Sequence, residues 1–229
     1  MTRVLLAWSG GKDSAMALKA LRGDPEVSVV GLLTAVTEEY ARVSIHGIRR
    51  DVLRAQAIAA GLPLVEVTLR VGADNAAYER AWIAGVERAR ERLGPVDSVA
   101  YGDLFLADVR AYREALAARI GVPALFPLWG RETTALAAQF TSRGFEAYVC
   151  CVDTTLAPAA WAGRRYDAAL VAEMPEGVDP CGERGEFHTC VTAGPIFAAP
   201  LELTVGERVR RAGRFEYCDL IAEEHRREA

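Results

Sequence analysis

The sequence predicts an α/β fold: a parallel sheet covered by helices, with a smaller α+β domain toward the C-terminal end. Three observations predict it. Short apolar runs alternate with stretches of helical apolar spacing through the first 129 residues, and strands that alternate with helices pair in parallel because each helix carries the chain back to the same end of the sheet. Beyond Trp129 that alternation stops. The chain then closes on two runs separated by a tight turn, the pattern of an antiparallel pair.

Taken in order, residues 3–8 (RVLLAW) read as a short buried strand ending at Ser9-Gly10-Gly11, and residues 13–22 (DSAMALKALR) carry apolar side chains at helical spacing. A strand over 27–36 (VSVVGLLTAV), an amphipathic helix over 47–61 closed by Gly61 and a strand over 63–69 (PLVEVTL) follow. A long helix from Asn75 to Leu93, a strand over 96–103 (VDSVAYGD), a helix from Asp108 to Arg119 and the short run PALFPL at 123–128 complete an N-terminal domain, 1–129. The C-terminal domain, 130–229, is expected to hold a helix near Glu132 to Ser142 and a strand over 145–152. A Gly/Pro-rich stretch from Met174 to Pro200 comes next, then two antiparallel strands around Arg211-Ala212-Gly213.

Composition narrows the function classes. With 51% apolar and 25% charged residues and no run of 18 uncharged apolar positions, the chain has the balance of a soluble globular protein without a membrane span. The N-terminal apolar run leads into a Gly-rich loop rather than a cleavage site, so no secretion signal is expected. Net charge is -4, from 27 basic and 31 acidic residues; this lacks the basic excess that binding a phosphate backbone needs, and nucleic acid is an unlikely partner. Five cysteines, an odd number that includes the adjacent Cys150 and Cys151, make a poor disulfide framework and fit a reducing cytoplasm. A homodimer is the expectation from base rates alone.

The strongest local signal is Ser9-Gly10-Gly11-Lys12-Asp13-Ser14. A Gly-Gly turn between a buried strand and a helix start lets backbone approach an anion, and the free N–H groups of the helix N-terminus point at it. Ser9 and Ser14 add hydroxyl donors, Lys12 adds a point charge, and Asp13 can cap the helix or reach Mg²⁺. The spelling is neither a Walker A, since Leu6 stands where its first Gly would be, nor the dinucleotide fingerprint G-x-G-x-x-G. Placed directly after a first strand, SGGKDS resembles the signature of the PP-loop ATP pyrophosphatases. The resemblance implies a Rossmann-like sheet of the PP-loop/HUP type, ATP and Mg²⁺ as cofactors, and cleavage of ATP to AMP and pyrophosphate.

Two further clusters sharpen this. Tyr101-Gly102-Asp103 closes a strand at the carboxyl edge of the sheet, where open α/β folds bind ligands, which makes Gly102 and Asp103 candidate nucleotide contacts and Asp103 a candidate Mg²⁺ ligand beside Asp13. Between Asp179 and Cys190 lie Glu183, Glu186, His188 and Thr189 around glycines; the alternation of Glu186 and His188 would put both on one strand face, able to bind a cation or move protons. Cys181 and Cys190 bracket this cluster, but their spacing matches no standard zinc pattern. His46, in the SIHG segment, could approach the nucleotide.

The order SGGKDS, GD, PLW, GE-x-GE-x-x-T resembles the diphthine-ammonia ligase family over nearly the whole chain. The resemblance implies an enzyme whose N-terminal domain binds ATP, whose C-terminal domain supplies much of the substrate site, and which amidates a carboxylate with ammonia. Where members that modify diphthine typically read GEGGEYET, this chain reads GERGEFHT, with Arg184 and His188 in place of Gly and Glu, a pattern similar to a bacterial branch. Reaction type therefore carries over better than the acceptor, which stays an open carboxylate-bearing molecule. The expected catalytic set is Lys12, Glu183, Glu186 and His188. Two rival readings are a tRNA-modifying PP-loop enzyme, disfavoured by the missing C-x-x-C pair and the net charge, and a non-catalytic nucleotide sensor, disfavoured by the intact N-terminal loop.

Overall fold

A computed structural model describes residues 1–43 and 46–222; Ser44 and Ile45 of the SIHG segment lie outside the described residues. The N-terminal part runs β1 (Thr2–Ala7), α1 (Lys12–Arg22), β2 (Val27–Thr37), β3 (Arg42–Val43), α2 (Arg50–Ala60), β4 (Leu64–Leu69), α3 (Asn75–Leu93), β5 (Ser98–Ala100), α4 (Ala107–Ile120) and β6 (Ala124–Leu125). Strand β2 pairs in parallel with β1 and β4, β1 with β5, and β5 with β6. The predicted α/β class holds, with one addition. The two-residue β3 pairs antiparallel with Val36 and Thr37, whose other neighbours are Thr68 and Leu69 of β4. It therefore sits on the β1 side of β2, just beyond the end of β1.

The chain steps outward from β1 to β2 and β4, then crosses back to β5 and β6 on the other side of β1. Loops after β1 and β5 consequently diverge at one point on the carboxyl edge, the place where doubly wound sheets open a crevice. Helices cover both faces, which explains why β1 is a continuous apolar run rather than an alternating one: Val4, Leu5 and Leu6 are all fully buried. Leu5, Leu33, Val67 and Val99 pack on one face with Trp82 and Val86 of α3 and Leu116 of α4. Val4, Leu6, Leu32 and Val36 pack on the other with Leu18 of α1 and Leu53 of α2. Each such side chain contributes roughly 1.5–3 kcal/mol of burial.

The C-terminal part comprises α5 (Thr133–Ser142), β7 (Glu146–Asp153), α6 (Ala168–Ala172), β8 (Phe187–Ala193), β9 (Leu203–Arg211) and β10 (Phe215–Ala222). Its antiparallel sheet has the order β8-β7-β10-β9. The apolar cluster under α1 continues into this sheet through Val149, Val152, Phe187 and Val191, so the two regions share one buried layer. Arg42 and Arg49 both grip Asp219 of β10, at 2.7 and 2.5 Å. Burial works against that carboxylate, yet the two guanidinium groups bring its pKa down to about 2. Arg22 Nη1 donates to the Ile196 carbonyl at 2.9 Å.

Several boundaries differ from the sequence reading for identifiable reasons. The Gly/Pro-rich stretch contains β8, whose residues FHTCVTA are aromatic and β-branched and pair with β7 despite the glycines before them. Helix α2 begins at Arg50 rather than at 47, because Gly47 has a φ of 69° and cannot start a right-handed turn. The short α6 and β3 were not anticipated at all. All five cysteines are free and buried. No helix among the described residues is long and apolar enough to cross a membrane.

Candidate active site

The loop after β1 rests on the C-terminal sheet. Gly10 takes a φ of 80°, a conformation glycine reaches without the steric cost a side chain would add. Its carbonyl accepts from Val191 N and from Gln56 Nε2, both at 2.9 Å. Gln56 is fully buried and also donates to the Val191 carbonyl at 2.8 Å, while its Oε1 accepts from Trp8 Nε1 at 3.0 Å. Thr189 Oγ1 accepts the Lys12 amide at 3.0 Å. Gly11 lies so close to β8 that an added Cβ would stand 3.0 Å from the Thr189 carbonyl. As the N-cap of α1 it offers no side chain, so the positive end of the helix is open to an anion.

Charge gathers above this floor. Lys12, almost fully buried, places Nζ 2.8 Å from both Asp13 carboxylate oxygens and donates to the Cys181 carbonyl. Burial opposes its charge, but Asp13 more than compensates and raises its pKa. Burial likewise raises the pKa of Asp13 against the pull of Lys12. Gly102 packs directly on the first turn of α1, where a Cβ would meet the Asp13 carbonyl carbon at 2.9 Å; this close approach brings Asp103 beside Asp13. Glu183 reaches across from the C-terminal region to accept the Leu104 amide at 2.7 Å. Burial, aided by Asp13 and Asp103, lifts its pKa to about 7 in spite of that hydrogen bond.

His46 and His188 lie against one another with ring centroids 4.4 Å apart. Burial and the nearby Lys12 charge hold His188 at a pKa of about 4, and burial, His188 and Lys12 hold His46 well below its ordinary value. Both rings are thus neutral at neutral pH. Glu186 corrects the sequence expectation: it does not share a strand face with His188. Strand β8 starts one residue later, and the Glu186 carboxylate turns back to accept the amides of Asp179 and Arg184 at 2.9 and 3.0 Å. It staples the loop that carries Glu183.

These groups open on a cleft of about 630 Å³ over the carboxyl edge of the sheet. Of the sequence candidates, Ser9, Lys12, Asp13, Ser14, His46, Gly102, Asp103, Glu183 and His188 line it, whereas Gly10 and Gly11 shape its floor from behind and Glu186 stands outside. The cleft has a second wall that the motifs did not reveal. Tyr78 and Trp82 of α3, Tyr101 after β5 and Arg113 of α4 line the face of the sheet opposite α1. The i,i+4 spacing of Tyr78 and Trp82 on a predicted helix was the available signal, but it is equally the signature of a core stripe. Gln56, a lone amide among alanines on the buried face of α2, was a comparable hint.

As to Mg²⁺, no cluster of three or more His, Cys, Asp or Glu side chains able to hold a metal ion occurs among the described residues. The carboxylates of Asp13 and Asp103 at the mouth of the Ser9–Ser14 loop do suit a cation that takes one or two protein carboxylates and completes its shell with phosphate and water.

Comparison with known proteins agrees with this anatomy. Residues 2–124 match the family described as diphthamide synthase N-terminal domain, and residues 132–220 match the diphthamide synthase C-terminal domain. No curated protein matches the chain.

Proposed function

Because the chain belongs to the diphthamide synthase family, a group of ATP-using PP-loop ligases, we propose that it adenylates a substrate carboxylate and transfers the acyl group to ammonia. The observation that carries this reading is the N-terminus of α1, whose N-cap Gly11 brings no side chain and whose Lys12 amide is met by Thr189 of β8, with the Lys12 side chain beside it, opening on a cleft into which Asp13, Asp103 and Glu183 converge. That arrangement suits a triphosphate whose α phosphorus must be exposed to an incoming oxygen.

In the first step a carboxylate oxygen of the acceptor bonds to the α phosphorus, and the bond to the β-phosphate oxygen breaks, leaving its electron pair on pyrophosphate. Lys12 and the helix N-terminus stabilise the charge that develops on the departing phosphates. Mg²⁺, held by Asp13 and Asp103, would supply further charge neutralisation. In the second step the ammonia nitrogen bonds to the acyl carbon, AMP leaves with the carbon–oxygen bonding pair, and the nitrogen loses a proton. Glu183, with a pKa near 7, is poised to accept that proton. Neutral His188 lines the same cleft, and Glu186 positions Glu183 without touching substrate.

The test is incubation with α-labelled ATP, Mg²⁺ and ammonium, with and without extract from the host. AMP and pyrophosphate formed only with extract support the ligase; ADP, or tight ATP binding without turnover, overturns it.

A further inference from the structure

We infer that the wall between α3 and α4 is the acceptor's binding pocket, and that Arg113, Tyr101 and Trp82 hold the acceptor's carboxylate there. This deepens the ligase reading and rests on it.

Three buried polar atoms on this wall have no hydrogen-bond partner: Trp82 Nε1, Tyr101 Oη and Arg113 Nε. Trp82 and Tyr101 are 3% and 1% exposed yet line the cleft with Arg113, and a buried donor left without a partner is costly. Trp82 and the Tyr101 hydroxyl are close enough for the indole to act on the phenol, although neither atom meets full hydrogen-bond geometry. Arg113 is anchored by donating Nη1 to Tyr78 Oη at 2.9 Å, and its guanidinium lies 5.0 Å from the Tyr101 ring centroid. Its nearest carboxylate, Asp103, is 3.9 Å from Nε, too far for a hydrogen bond.

The unmet groups are two obligate N–H donors and one hydroxyl. What completes them is an anion with more than one oxygen, which on the ligase reading is the carboxylate of the acceptor. The rings of Tyr78, Trp82 and Tyr101 stack on one another, with centroids 5.5 and 6.3 Å apart. Tyr101 stacks in turn on Phe126, so Trp82 and Tyr101 each have ring neighbours on two sides and meet a ligand by their edges, which argues against a nucleobase sandwiched between them. Asp103 joins the two halves of the cleft, so a carboxylate held by Arg113 lies next to the carboxylates at the phosphate loop.

Tyr101→Phe separates this assignment from a structural role. It removes an unpartnered hydroxyl, so the melting midpoint is expected to stay within about 2 °C of wild type or rise. The protein has four tryptophans, and Trp82→Phe identifies the Trp82 indole N–H among their resonances. The probe is benzoate, titrated into the full chain with and without saturating ATP. A saturable shift of the Trp82 resonance is expected under both conditions, at least about tenfold weaker in Tyr101→Phe and in Arg113→Gln, and absent with benzamide at the same concentration. Displacement of benzoate by ATP, or no shift, overturns the assignment.

The ligase reading fails separately, through the absence of AMP. Where AMP forms, ultrafiltered extract distinguishes the source of the carboxylate: activity in the filtrate means a small molecule, and activity in the retentate means a macromolecule. In either fraction Arg113→Gln is expected to need at least about tenfold more of the active material than wild type; an equal requirement overturns the proposal.

Discussion

The two walls of the cleft are built on opposite terms. On the α1 side the groups that hold the loop have partners, although Thr34 Oγ1 of β2 has none: Gln56 bonds Gly10, Val191 and Trp8, Thr189 takes the Lys12 amide, and Lys12 is tied to Asp13 and Cys181. On the α3/α4 side Trp82, Tyr101 and Arg113 each keep a buried polar atom unpaired. The difference teaches that satisfied groups hold a backbone in place before any ligand arrives, whereas unsatisfied ones measure what a ligand must bring. The first wall suits a cofactor common to a family, the second a substrate that varies.

The hardest blow to that comparison falls on the satisfied wall. Lys12→Ala is expected to lower acceptor-dependent pyrophosphate release by about 100- to 1000-fold while circular dichroism shows a folded protein. Undiminished release would sink the phosphate-loop mechanism. Gln56→Leu takes the acceptor from the Trp8 indole N–H and one donor each from the Gly10 and Val191 carbonyls, of which Gly10 keeps the Val191 amide, at a cost on the order of 3 kcal/mol in denaturant unfolding. A loss under about 1 kcal/mol would show that the loop does not depend on its floor.

Proton linkage sharpens the contrast with smaller effects. His188 has its folded pKa depressed from 6.5 to about 4, so the stability it contributes is present above 6.5 and lost as pH falls toward 4. Glu183 has its folded pKa raised from 4.5 to about 7, so its contribution is present below 4.5 and lost as pH rises toward 7. His188→Gln should flatten the acid side of a stability profile and Glu183→Gln the rise-linked loss, each by up to about 1 kcal/mol per pH unit. Parallel profiles for wild type and both variants would remove the two groups from the site's electrostatics. Smallest of all is Tyr101→Phe, for which unfolding free energy should move by less than about 0.5 kcal/mol; a loss well beyond that would mean the hydroxyl is structural.

Much of the fold was legible because local pattern and long-range packing agree. The βα alternation, the helices at Asn75–Leu93 and Thr133–Ser142 and the closing hairpin all stand close to where apolar spacing put them. Strand β8 was legible only as the alternation at Glu186 and His188 and not in its bounds, because its glycine- and proline-rich surroundings speak for a loop and pairing with β7 is what extends Phe187–Ala193. Glu186 misled for a related reason. Alternation assigns faces only within a strand, and the backbone amides of its own loop captured a side chain one residue before the strand began.

By itself, the sequence determined the α/β class, the Ser9–Ser14 loop as the candidate phosphate site and the resemblance to a ligase family, since these rest on contiguous residues whose chemistry depends on neighbours along the chain. Tertiary structure alone decided that the loop's floor comes from Thr189 and Val191, some 180 residues away, and that Tyr78, Trp82, Tyr101 and Arg113 share a wall. Such partners meet only through the crossover from β4 to β5 and the seating of β8 against α1. Whether a buried N–H finds an oxygen is settled by three-dimensional distance, which no spacing along the chain encodes.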